Sequence, residues 1–315
     1  MDKTSFSSLL VMVEIFLLLF TGFVLRKTKV LGDNVQTGCM DFLMKISVPA
    51  QILSAAASFS FTKETIRSVL LLVVILIAGY LAAILLTTGA GKLLKLPKDE
   101  RIILSGTVVF KNMAFMGFPV CISILGSWSI FYAVFGMAIF NLFMWTYGIS
   151  MYAGERSLKL KKLVTNSAMI CCVVMILLAA TGIRLPDIIQ ETLSVTGNTC
   201  TPLSLIIIGM MLADSDLLTI LKKPLLWLVS GLTLVVYPLI MLGMVLLLKP
   251  GREAAQVLMV LSVLPSATLN PIVAAQYGAN GKLASFAVMH TMLLSLVTIP
   301  IFVPLLLRIV NGIGY

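Results

Sequence analysis

Two short stretches place polar side chains inside apolar runs. One is Lys111-Asn112-Met113-Ala114-Phe115-Met116-Gly117-Phe118-Pro119, followed by Gly126. The other is Pro265-Ser266-Ala267-Thr268-Leu269-Asn270-Pro271, followed by Gly278. An ammonium, two amides and two hydroxyls suit the holding of a carboxylate rather than bond making. Lys111 would neutralise a bound anion or stand in for a coupling cation, because a lysine at membrane depth is costly unless paired or wetted. Asn112 and Asn270 offer amide contacts, and Ser266 and Thr268 add hydroxyls. Proline removes a backbone donor and disturbs the preceding turn, so Pro119, Pro265 and Pro271 mark breaks whose freed backbone groups need partners. Two broken helices meeting near the midplane would turn the positive ends of half-helices on a shared anion.

Other candidates are weaker. Gln51 is a candidate for the cavity wall. Glu14 reads as a proton carrier or as a scaffold acceptor. His290, the sole histidine, reads as proton-linked or as a satisfied core group. Asp41 and Lys45, four apart on a helix, form a local pair. There is no H-E-x-x-H, no P-loop and no nucleophile–base set, so neither an enzyme nor a nucleotide-driven pump is expected. No cofactor or metal site is expected. The five cysteines fall in or beside apolar runs with no C-x-x-C pair, as small apolar filler.

The elements that must carry these residues are membrane helices. Of 315 residues, 59% are hydrophobic and 11% charged, with a mean hydropathy of +1.08. A soluble fold of this length cannot hide that much apolar surface. Runs of roughly 20 residues match a hydrocarbon layer of about 30 Å. They span 6–25, 38–58, 67–91, 102–125, 129–152, 167–183, 201–219, 224–248, 254–277 and 284–310. The first run has its basic residues after it, so it reads as a helix and not a leader. The net charge of +10 sits in short loops, which excludes a nucleic-acid stripe.

Loop charge sets orientation. Odd-numbered loops hold Arg26, Lys27, Lys29, Lys92, Lys95, Lys98, Arg101, Arg156, Lys159, Lys161, Lys162, Lys222, Lys223 and Lys282. The other side holds half as many: Lys3, Lys63, Arg67, Arg184, Lys249, Arg252 and Arg308. The odd loops, and a short loop at 153–166, are then cytoplasmic, with both termini outside. The stretch 184–200 reads as a surface loop or a short interfacial helix after Pro186, with Gln190 facing water.

The motifs recur. Pro119 to Gly126 and Pro271 to Gly278 are both seven steps, and Pro49 to Thr62 and Pro202 to Ser215 are both 13. An offset of five helices inverts the second copy. The expected fold is therefore all-α and integral to the membrane, with ten transmembrane helices. They form two inverted five-helix repeats (1–152 and 167–315), with crossed, broken helices 4 and 9.

These residues resemble the auxin efflux carrier family, which includes the plant PIN-FORMED carriers and bacterial malate or malonate permease-like proteins. The likeness spans nearly the whole chain. Gly38 through Val48-Pro49 is similar to the family's second helix, and Pro202 to Ala213 with Gly209 to its seventh. Asn112, Gly117 and Pro119 are similar to the fourth-helix break. Leu264-Pro265 through Pro271 to Tyr277 is similar to the ninth helix, and this is the most specific part. Leu269-Asn270 departs from the plant pattern, which points away from auxin itself. The resemblance implies a fold like that of sodium/proton antiporters and bile-acid symporters. Helices 1, 2, 6 and 7 would form a scaffold, often a homodimer. Helices 3–5 and 8–10 would move elevator-fashion with a small organic anion held at the crossing. The implied protein is a plasma-membrane secondary transporter. The rival reading is a proton- or sodium-coupled symporter or antiporter with another substrate.

Overall fold

Inside hydrocarbon every backbone donor and acceptor must be paired within the chain, and an apolar run achieves this as a helix. The computed structural model describes residues 3–55, 62–154, 167–214 and 221–312. Part of the 153–166 loop and Ser215 lie outside the described residues. Among the described residues the only bridge-type pairing is between Lys111 and Ser266, and the rest of the regular structure is helical.

The first helix is α1 (Lys3–Lys27). Next come α2 (Asp33–Phe42), a π turn (Leu43–Ser47) and α3 (Val48–Ser54), continuous as one rod. The long α4 (Lys63–Leu93) leads to α5 (Lys98–Val109). After an unwound gap, a π turn (Met113–Gly117) enters α6 (Phe118–Leu125). Then come α7 (Ser129–Phe143), a π turn (Met144–Gly148) and α8 (Ile149–Ala153). The second half holds α9 (Ser167–Thr181), α10 (Asp187–Asn198) and α11 (Cys200–Ala213). It continues with α12 (Pro224–Gly231), a π turn (Leu232–Val236) and α13 (Tyr237–Leu248). It ends with α14 (Arg252–Ser262), α15 (Leu269–Gln276) and α16 (Gly281–Asn311).

Five of these rods are long and apolar enough to cross a membrane: Lys63–Leu93, Ser129–Ala153, Asp187–Ala213, Pro224–Leu248 and Gly281–Asn311. On α4 the exposed Leu70, Val74, Leu81 and Leu85 share one face at helical spacing. An unbroken apolar stripe turned outward is costly in water and favourable in lipid. The protein is an all-α membrane protein.

Among the described residues, three of the four π turns end two residues before a proline: Pro49, Pro119 and Pro238. A proline ring collides with the carbonyl four residues back and offers no N–H. Widening the turn ahead of it removes the collision without ending the helix. Elsewhere, glycine allows backbones to touch. A Cβ at Gly22 would strike the Ile206 carbonyl, and one at Gly209 would strike that of Leu19. This close contact packs α1 onto α11.

The core lies around α14, where Ala254, Ala255, Val257, Leu258, Met259 and Val260 are all fully buried. The stretch after Pro186 is the helix α10, packed on α3. Gln190 Nε2 donates to the Ser54 carbonyl at 2.8 Å, so this side chain faces protein rather than water. A carbonyl near the end of α3 needs a donor, and Gln190 is the group in reach.

Candidate functional site

Two unwound segments cross, antiparallel, where α5 and α14 end. Asn112 N–H donates to the Pro265 carbonyl at 2.8 Å, and Ala267 N–H donates to the Phe110 carbonyl at 2.8 Å. Each side breaks for a local reason. Pro265 biases Leu264 away from helical angles, so α14 ends at Ser262. On the other side Phe110 is extended, and Asn112 caps the next turn, its Oδ1 accepting from Phe115 N–H at 3.2 Å. The Asn112 carbonyl accepts from both Met116 and Gly117.

The breaks therefore sit at 110–112 and 263–268, not at Pro119 and Pro271. Pro119 lies inside the helix that Asn112 caps, just past its π turn, whereas Pro271 lies in the first turn of α15, where a helix needs no N–H from it. Both helices then stop at a left-handed glycine, Gly126 at φ +96° and Gly278 at φ +81°. Both begin at the crossing, so both direct their amino ends there.

Lys111, Asn112, Pro265, Ser266, Thr268 and Asn270 are all buried at this point. Asn270 Nδ2 donates to Ser266 Oγ at 2.8 Å and to the Gly106 carbonyl at 2.9 Å, tying α15 to α5. Ser266 N–H donates to Thr291 Oγ1 at 3.1 Å. Gly117 faces the end of α14 and the segment after it: a Cβ there would lie 3.3 Å from Leu264 and 3.5 Å from Leu261. Asn112 Nδ2, a donor, and Asn270 Oδ1, an acceptor, are buried without a hydrogen-bond partner among the described residues. Orphans of this kind are rare in native interiors and point to a missing partner.

Lys111 is 1% exposed. Its Nζ donates to the Thr233 carbonyl at 2.6 Å and lies 4.4 Å from the centre of the Tyr237 ring. No carboxylate pairs with it among the described residues. The ion pairs there are Arg26 with Asp214 at 2.7 Å and Lys45 with Asp41 at 2.9 Å. A carbonyl dipole and an aromatic face hold an ammonium but leave its charge unbalanced.

The remaining candidates stand apart from these contacts. His290 is fully buried on α16, with Nδ1 2.6 Å from Ser230 Oγ and its ring edge-on to Trp227. Its Nε2 has no partner among the described residues. Gln51 is buried in α3 beneath Gly197 of α10, with its Oε1 unpartnered among the described residues. Glu14 lies on the exposed face of α1, beside Val13, Phe16 and Leu17. Sequence reasoning did not single out Thr233, Tyr237, Ser230 or Thr291. The one signal available was Pro238, five residues beyond Thr233.

The family described as membrane transport protein matches residues 8–162 and 156–303. No curated protein matches the chain. With most of its length covered, the chain belongs to the membrane transport protein family, that of the auxin efflux carriers.

Proposed function

We propose that the protein is a secondary transporter of small organic anions, with the substrate carboxylate held at the crossing by Lys111 and Asn112. The observation that carries this reading is Lys111: a cation 1% exposed, among helix amino ends, with no carboxylate beside it among the described residues. A site built this way lacks one negative charge, and a bound carboxylate supplies it. The orphan Asn112 Nδ2 is a second donor for the same group, and Asn270 Oδ1 can accept from a donor elsewhere on the ligand.

In this reading the rods form ten spans in two inverted five-helix repeats. The matched proline-to-glycine spacing before Gly126 and Gly278 supports that symmetry. Helices of the second, mobile unit carry the crossing past a scaffold that includes α1 and α11, by elevator-type alternating access. The scaffold would pair two copies in the plasma membrane, with the basic loops in the cytoplasm. A cavity of about 1010 Å³ lined by Lys223, Asn280, Lys282 and Phe286 opens on the basic-loop side. His290 lies one helical turn beyond Phe286, which suits an entry path toward the crossing.

The test is uptake of a carboxylate panel into proteoliposomes, with and without sodium and pH gradients. Carboxylate accumulation that needs Lys111 is the expected result. Uptake of cations or neutral solutes in place of carboxylates would refute the proposal. The response to the gradients separates uniport from coupled transport.

A further inference from the structure

The carbonyl that Lys111 holds is one that the helix cannot satisfy. Within the turn Leu232–Val236, Tyr237 N–H donates to the Leu232 carbonyl, five residues back. In that register the next carbonyl, Thr233, looks to residue 238. That residue is proline, which has no N–H. In ordinary α register Thr233 would look to Tyr237, whose N–H is already engaged. Thr233 is fully buried, so water does not take the place of a donor. The ammonium of Lys111, 122 positions earlier, fills the vacancy at 2.6 Å. The ring of Tyr237, the residue before Pro238, closes over it at 4.4 Å.

We infer that the Thr233 carbonyl and the Tyr237 ring, set in place by Pro238, form the resting berth of the Lys111 ammonium, from which a bound carboxylate draws it. This rests on the anion reading of the crossing. A dipole and a π face hold a cation but do not neutralise it, and a carboxylate does both. Leaving the berth is a cost subtracted from every binding event. A neutral ligand offers nothing to offset that cost, so the berth also selects for charge.

Pro238→Ala isolates the claim. In either helical register the variant gives the Thr233 carbonyl a backbone donor: Ala at 238 in the wide turn, or Tyr237 in the ordinary one. The berth weakens, and purified protein titrated with succinate or benzoate in a thermal-melting assay should bind about tenfold more tightly. Unchanged affinity overturns the competition. A second arm reads stability alone. Lys111→Met leaves the Thr233 carbonyl without a donor, so adding Pro238→Ala should raise the melting temperature about 2–4 °C more in that background than in the wild type. Equal shifts overturn the berth. Where Pro238→Ala does not yield folded protein, Tyr237→Leu removes the ring and should tighten binding in the same direction. Unaltered binding then overturns the inference. If Lys111→Met binds carboxylate as well as the wild type while the stability coupling persists, the anion reading fails and the berth's geometry stands.

Discussion

Replacing Lys111 with methionine separates a functional cation from a structural one. Methionine keeps most of the volume, so the change is chiefly one of charge. Lost are a desolvated cation–π contact worth about 2 kcal/mol and the hydrogen bond from a charged donor, about 1.5–3 kcal/mol with the Thr233 carbonyl left without a donor included. Relieved is the cost of an unbalanced cation at membrane depth, about 2.5–3.5 kcal/mol on insertion scales. The terms nearly cancel, and Lys111→Met should hold its melting temperature to within about 2 kcal/mol of stability. A lysine paired with a buried carboxylate behaves otherwise, since breaking such a pair costs about 3–5 kcal/mol. The assay is thermal melting of the purified protein, with carboxylate uptake measured on the same preparation. The expected outcome is an intact fold with no uptake. A collapse in stability, or uptake that persists, refutes the reasoning.

Asn270→Ala removes the two short hydrogen bonds that tie α15 to Ser266 and Gly106, and should cost about 2–3 kcal/mol by melting. Gly209→Ala drives a methyl into the Leu19 carbonyl and should loosen α1 from α11, costing about 1–3 kcal/mol; faster hydrogen exchange in α1 would report it. Arg26→Ala breaks an ion pair whose aspartate is 45% exposed, and should change the melting temperature little, by about 1 kcal/mol or less, at moderate salt.

The two breaks differed in how visible they were. Pro265 announces one in the sequence, because the residue before a proline resists helical angles. Nothing between Gly106 and Lys111 announces the other. That segment unwinds because its backbone groups find partners in 265–267, a pairing with no local signature. Pro119 and Pro271 look like the breaks themselves, yet a helix carries a proline behind a widened turn, as at Pro119, or in its first turn, as at Pro271. The burial of Lys111 was legible from its position in an apolar run. Its partner was not, since Thr233 becomes an acceptor only through a register shift imposed by Pro238. Asp41 and Lys45 met as their spacing required, at 2.9 Å, because an i,i+4 pair depends on one helix alone. Which way Gln190 would turn depended on α3, which lies more than a hundred residues away in sequence.

The two bonds at the crossing join main-chain atoms only. No side-chain substitution deletes them, short of a proline at 112 or 267. The clasp and the proposed recognition chemistry are thus written in different parts of the same residues. Lys111, Asn112 or Ser266 can be exchanged for other polar groups while the two segments stay fastened. A lineage built on this clasp is free to change its cargo one side chain at a time.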